Sequence, residues 1–237
     1  IITNNTINEM IVSAHQPHYL PWSGFINRIL LADKFVIMDN MNFTSYNYIN
    51  RNRIIQSGKI LLLSLPIKNK KNTNQLIKDV ELDYSHTFRG AKKHLKAIKH
   101  NYSSLAGYDY FLPSLEKILL KKYKWLIDID LDLIYLITNY LNINTEIIIG
   151  SEKNISGKKE DELFLSLLDN TNCNKILLGL GASTKYINAN FIIEHRGQIV
   201  FQHFKHPVYP QKVTPNIQGV SIIDLLLSVD RETAIDL

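Results

Sequence analysis

Residues 11–38 read IVSAHQPHYLPWSGFINRILLADKFVIM. The stretch opens on a short apolar run, Ile11 to Ala14, and continues into a polar turn over residues 15–19. Phe25, Ile26, Ile29 and Leu30 then recur at the spacing of one helix face. Asp33 and Lys34 lead into Phe35, Val36, Ile37 and Met38, an apolar run of the length of a buried strand. Strand, loop, helix and strand in that order make a βαβ unit. Its right-handed crossover sets the two strands parallel and leaves the loop at the carboxyl end of the first. The expected fold class is α/β, with a parallel or mixed sheet.

Outward from this unit, residues 60–66 read as a strand ended by Pro66, and residues 77–82 as another. Over residues 87–102, Ala91, Leu95, Ile98 and Tyr102 fall at helical intervals, with Lys92, Lys93, Lys96 and Lys99 on the other side. Pro113 and Ser114 open a further helix, and residues 126–141 form a third. Residues 145–149 read as a strand, 160–168 as a helix and 175–180 as a strand. Residues 191–194 and 199–204 read as a hairpin turning at Gly197, and residues 221–228 as a closing helix. No repeat and no Pro-, Gly- or Ser-rich linker divides the chain. One α/β domain over residues 10–237, with a helical insert at about 87–141, is therefore expected, and residues 1–9 as an extension outside the fold.

The 237 residues are 45% hydrophobic and 21% charged, too apolar for a disordered chain and long enough to bury a core. Twenty-seven Lys and Arg against 22 Asp and Glu leave a formal charge of +5, which suits an anionic small molecule as readily as nucleic acid. The lone Cys173 excludes an internal disulfide framework and favours a reducing, cytoplasmic setting. The most hydrophobic stretch carries Asp128, Asp130 and Asp132, so no membrane span is expected. Residues 1–9 lack the basic and apolar regions of a signal peptide.

The densest cluster of chemistry is HQPHYLPWSG, residues 15–24, set where a strand ends and a helix begins. His15, Gln16, His18, Tyr19 and Trp22 gather there on a backbone stiffened by Pro17 and Pro21, in the position where α/β sheets bind ligands. Asp39, after the second strand, is a partner able to orient a histidine in acid/base work, whereas Asp33 reads as structural. Asn50, Arg51 and Arg53 offer an amide and two guanidinium forks suited to phosphate or carboxylate. Gly179 and Gly181 make a glycine turn after a strand, and His203 and His206, at H-x-x-H spacing on an expected strand, form a second polar group with Tyr209 and Gln211, closer to a substrate role than to one metal. Each has a plainer structural alternative: a satisfied core histidine, a packed indole, a surface ion pair.

Other motifs are weaker. Asp128-Ile129-Asp130-Leu131-Asp132 resembles a metal-holding DxD, yet its helical apolar spacing leaves the aspartates on a solvated face. No P-loop spacing and no G-x-S-x-G elbow is present, and Cys173 lies in a polar turn with no histidine beside it. No metal ligand set is expected. Lys92, Lys93, Lys96 and Lys99, together with Lys121, Lys122 and Lys124, make the one surface where an aminoacyl-tRNA could dock, although a solvated helix face explains it as well.

HQPHYLPWSGF, followed by LLADKFVIMDNMNF and INRNRI, resembles the signature of the WbqC-like family, a bacterial group often encoded in surface-polysaccharide loci. The resemblance continues through ILLGLGASTKYI, FQHFKHPVYPQ and SIIDLL, and departs at Met41-Asn42-Phe43 and at Leu178. It implies an enzyme acting on a nucleotide-linked amino sugar, attaching an aminoacyl group such as glycyl to the sugar amine, with ATP or an activated amino-acid donor as co-substrate. On this reading His15, His18 and Asp39 are catalytic. The alternative is a sugar-nucleotide or RNA-binding module without chemistry. By topology alone, the histidine loop is similar to the His-x-Gly-His loop of nucleotidyltransferase-like enzymes, whose histidines face phosphate.

Overall fold

The computed structural model describes residues 9–68, 74–157, 160–180, 194–195 and 197–237. Its strands are β1 (Ile11–His15), β2 (Lys34–Ile37), β3 (Arg51–Gln56), β4 (Lys59–Ser64), β5 (Glu146–Ile149), β6 (Lys175–Gly179) and β7 (Gln198–Gln202). The helices described are α1 (Ser23–Leu30), α2 (Tyr84–Tyr102), α3 (Tyr108–Leu120), α4 (Leu126–Tyr140), α5 (Glu160–Thr171), α6 (Ile223–Ser228) and α7 (Arg231–Asp236). The chain divides into two compact units. One comprises Ile1–His15, Arg28–Met38 and Thr145–His203, the other Gln16–Asn27, Asp39–Asn144 and Phe204–Leu237.

The first unit is built on a five-stranded parallel sheet in the order β5-β2-β1-β6-β7. The expected βαβ start is present, since β1 pairs parallel with β2 in the register Val12↔Lys34 to His15↔Ile37. The chain then winds outward from β1 in one direction through β2 and β5, and in the other through β6 and β7. That reversal creates a topological switch point between the carboxyl ends of β1 and β6. Val12, Val36, Ile148 and Ile176 share one sheet face with Phe164, Leu167 and Leu168 of α5, and this cluster also encloses Cys173. Burial raises the Cys173 thiol's pKa, which suits a packing residue rather than a nucleophile. Ser13 Oγ donates to Leu177 O at 2.7 Å and ties β1 to β6. Asp33 Oδ2 accepts from Ile11 N at 2.7 Å, the structural role expected of it.

The second unit carries the β3–β4 hairpin and the helices α2, α3 and α4. Ser57 (φ 49°) and Gly58 (φ 73°) close the hairpin as a two-residue turn whose positive dihedrals match strand twist. The loop that follows β1 belongs to this unit from Gln16 onward, and it is fixed by β3. Asn52, 1% exposed, donates from Nδ2 to Tyr19 O (3.1 Å) and Leu20 O (2.7 Å), while its Oδ1 accepts from Arg53 N (2.8 Å). Leu20 is held at φ 46°, a left-handed conformation that costs a leucine about 1–2 kcal/mol. Tyr19 is fully buried, and its hydroxyl bonds His94 Nδ1 at 2.9 Å. His94 also bonds the Ser64 carbonyl, so its hydrogen lies on Nε2 and Tyr19 is the donor; burial lowers the imidazole to about 4.

Several expectations are corrected. Residues 77–82 are not a strand: Ile77–Asp79 form a 3-10 turn flanked by the isolated bridges Asn42↔Leu76, Glu81↔Trp125 and Ile67↔Leu82. Pro113 does not open α3 but lies inside it, one helical interval after Asp109, whose exposed carbonyl loses its i+4 partner to the ring. The expected hairpin at Gly197 is absent in that form, because β7 pairs parallel with β6 and Glu194 is helical; residues 191–193 lie outside the described residues. Leu30 is 57% exposed rather than on the packed face of α1.

Asp130 is not solvated either. It is fully buried in the apolar face of α4, with no hydrogen-bond partner for either oxygen among the described residues, and burial raises its pKa well above the usual carboxyl range.

Two stability outcomes follow from the second unit. Asn52→Ala strands the Tyr19 and Leu20 carbonyls away from water, and urea unfolding should show a loss of about 3 kcal/mol. A raised folded-state pKa makes the fold bind a proton that the unfolded chain releases above about pH 4, so the Asp130 penalty grows as pH rises. Asp130→Asn should therefore stabilise by roughly 1–3 kcal/mol at pH 7, and by little at pH 4; an equal gain at both pH values rules this origin out.

Candidate functional site

Within the second unit, the loop before β3 covers the strand's outward face. Arg51 Cζ lies 5.8 Å from the Tyr46 ring centroid and Arg53 Cζ 5.3 Å from that of Tyr48, so alternate tyrosines sit over alternate arginines. Arg53 Nη2 donates to Gly219 O at 2.8 Å, and its buried Nε has no acceptor among the described residues. The Trp22 indole meets Phe204 edge-on at 5.3 Å, and lies so close to Gly24 that a Cβ there would come within 2.3 Å of the ring. Trp22, Tyr48, Asn52, Arg53 and Gly219 line a recess of about 250 Å³. Arg51, Tyr46, Ser45, Asn50 and Ser64 line a second, more polar one of about 300 Å³. Two aromatic walls with a guanidinium suit a flat ring carrying an anionic group.

The remaining residues expected in a site are placed as follows. His18 is 6% exposed and stacks on Phe25 at 4.9 Å, with Tyr48 at 5.8 Å, so it borders the wall of the first recess. Gln16 Oε1 accepts from Asn47 Nδ2 at 3.4 Å. Tyr19 is engaged with His94 beneath the loop. Asp39, 3% exposed, accepts Lys78 N at its carbonyl (2.8 Å). Asn50 Nδ2 donates to Leu65 O at 2.9 Å, and its buried Oδ1 has no partner among the described residues. Tyr209 and Gln211 are occupied by Asp224, whose Oδ2 accepts from both at 2.8 and 3.1 Å while Oδ1 accepts from Tyr102 at 2.5 Å. Burial raises the pKa of Asp224 and of both tyrosines.

In the first unit, His15 ends β1 and its carbonyl accepts from Met38 N at 2.9 Å. Gly179 ends β6 opposite Gln202, the last residue of β7. His203 is exposed just past β7, so it and His206 do not share a strand. Gly181 lies outside the described residues. No group of three His, Cys, Asp or Glu among the described residues is arranged to hold a metal.

Sequence reasoning missed Tyr48, Gly219, Asp224 and Arg28, and it read Asn52 only as part of a polar run and not as the buried amide that holds the loop. His206 Nε2 accepts from Gly219 N at 3.1 Å while Nδ1 faces Pro207 O at 3.2 Å, which assigns the ring hydrogen to Nδ1. Gly219 is thereby held between His206 and Arg53. In INRNRI, Asn and Arg alternate over residues 50–53 between two isoleucines, and with period two this puts the amides on one face and the guanidinium groups on the other, a clue available in the sequence.

No described helix is long and apolar enough to cross a membrane. No solved structure matches the chain at a significant level. The chain is 26% identical over 223 residues to the uncharacterized protein Rv1507c of Mycobacterium tuberculosis (strain ATCC 25618 / H37Rv), covering 93% of this chain and 94% of that one. The profile of the WbqC-like protein family matches residues 16–235, taking in the histidine loop, β3 and the segment that holds Gly219 and Asp224. The chain belongs to the WbqC-like family.

Proposed function

We propose that this protein binds a nucleotide-linked amino sugar in bacterial surface-polysaccharide assembly and transfers an aminoacyl group, such as glycyl, to the sugar amine. The observation that carries the reading is the recess walled by Trp22 and Tyr48 with the Arg53 guanidinium beside it. A base stacks between aromatic walls, and the guanidinium forks of Arg53 and Arg51 meet the phosphates. The surface-polysaccharide loci that encode WbqC-like proteins support the pathway.

In the reaction the sugar amine attacks the acyl carbon of an activated amino-acid donor, ATP-derived or carried on tRNA. The C–N bond forms, the bond from acyl carbon to leaving oxygen breaks with its electron pair, and the amine proton passes to a base. His15 or His18 is that base, with Asp39 as the orienting carboxylate. A second reading, a sugar-nucleotide-binding module without turnover, is favoured by the burial of His18 and Asp39.

The two readings separate by mass spectrometry after incubation with UDP- or dTDP-amino sugars, ATP and amino acids. The enzyme yields an amino sugar heavier by one aminoacyl group, and His15→Ala loses that product while keeping the parent's unfolding temperature. Stacking on an aromatic side chain contributes roughly 1–3 kcal/mol per base, so Trp22→Leu should weaken nucleotide binding at least about fivefold. Binding without product leaves the module; no binding by either protein sinks both readings.

A further inference from the structure

The first unit holds a cation that nothing described in the chain neutralises. Arg28, in the last turn of α1, is partly buried, and burial lowers its pKa. Its Nε donates to the amide oxygen of Gln202 at 3.1 Å, and Gln202 is itself 5% exposed. The guanidinium lies directly over Gly179, where an added Cβ would come within 2.2 Å of Nη2. Neither terminal nitrogen of Arg28 reaches a carboxylate among the described residues. The ion pairs found there use only lysine: Lys34–Glu146, Lys68–Glu81, Lys99–Glu116, Lys121–Asp132 and Lys175–Glu9.

Position sharpens the point. His15, Gly179 and Gln202 are the last residues of β1, β6 and β7, three adjacent strands of the parallel sheet. Arg28 therefore sits at the carboxyl edge, beside the switch point where doubly wound sheets take their ligands. A guanidinium cannot shed its proton to escape burial, as a carboxyl can escape by gaining one, so only an anion offsets its lost hydration. Gln202 fixes the plane of the fork, and Gly179 provides the notch in which the fork rests.

We propose that Arg28, oriented by Gln202 over Gly179, is an oxyanion site for a phosphoryl group at the carboxyl edge of the sheet. The site stands on its own geometry. Only the assignment of that phosphoryl group to the activated amino-acid donor, as distinct from the sugar nucleotide at Trp22 and Tyr48, rests on the function proposed above.

The test is thermal unfolding of the full chain in phosphate-free buffer, titrated with inorganic phosphate. The parent's unfolding temperature should rise in millimolar phosphate. Arg28→Met, relieved of an unpaired cation, should unfold no lower than the parent without ligand and bind phosphate at least about tenfold more weakly. Gly179→Ala keeps the charge but displaces the fork, and should lose the response likewise, while Trp22→Leu keeps it.

A structural role for Arg28 predicts the opposite pair: an Arg28→Met protein that melts lower than the parent, and a phosphate response that is missing from the parent or unchanged in the variant. Either result overturns the site. Protection by acetate or glycine equal to that by phosphate overturns the phosphoryl class. With ATP and UDP-N-acetylglucosamine as further ligands, loss of ATP protection in Arg28→Met alone supports the donor assignment, and loss of UDP-N-acetylglucosamine protection there overturns it. A phosphate response through Arg28 without any nucleotide binding at Trp22 refutes the proposed function and leaves this site intact.

Discussion

The side-chain amide of Asn52 grips the carbonyls of Tyr19 and Leu20 from inside the second unit, and the geometry of the histidine loop depends on that grip. Two donors from one amide turn the chain through a left-handed leucine, deliver Pro21 to its bonds with the C-terminal segment, and leave the Trp22 carbonyl to accept from Phe25 N and Ile26 N in the first turn of the helix. Because side chains alternate along a strand, an inward Asn52 forces Arg51 and Arg53 outward. One short strand therefore does two jobs. Its buried face fixes the loop, and its open face carries the guanidinium groups that border both recesses. Arg53 adds a third link, since its backbone carbonyl accepts from Ser221 N at 2.8 Å while its side chain holds Gly219.

Local pattern disclosed the elements whose partners lie close in sequence. The βαβ opening was legible because its apolar positions change period from two to about 3.6 and back within a single stretch. The position of β7 was not, since a parallel pair is joined by a crossover and the residues before β7 resemble the arm of a hairpin. Residues 77–82 misled for a related reason. Their apolar residues Ile77, Val80 and Leu82 are all buried as a strand's would be, but the step of three from Ile77 to Val80 belongs to a turn, which single bridges flank on both sides. Asp130 could have been read correctly. It stands four residues after Leu126 and four before Ile134, both fully buried, so helical spacing alone places it at the centre of the packed face.

Of the candidate site, the sequence disclosed the loop and the two arginines but not their supports. Tyr209 and Gln211 looked like ligand groups because a phenol and an amide near histidines suggest recognition. Their actual acceptor, Asp224, is embedded in SIIDLLL, where a lone acid reads as the wet side of a helix. Three donors converge on that carboxylate, which opposes the rise that burial imposes on it. This cluster closes the C-terminal segment onto Tyr102 of α2 and so helps hold Gly219 where Arg53 needs it. What looked like recognition chemistry is thus better understood as the anchorage of one recess wall.

Asp130 and Arg28 both lie out of water with no opposite charge beside them among the described residues, and they differ in what they imply. Asp130 resolves its predicament within the molecule, because a carboxyl that holds its proton is merely a polar group, and the raised pKa is that resolution. Arg28 has no such exit. Its conjugate base is out of reach in water at any physiological pH, so the charge persists whether or not a partner is present. Nor does the chain lack acids, with 22 of them in 237 residues. A cation set beside the switch point of a parallel sheet, aligned by a buried amide and fitted over a glycine, is unfavourable for the empty fold and favourable once an anion arrives. The same arrangement built for stability alone would have placed a carboxylate, or an apolar side chain, where that anion belongs.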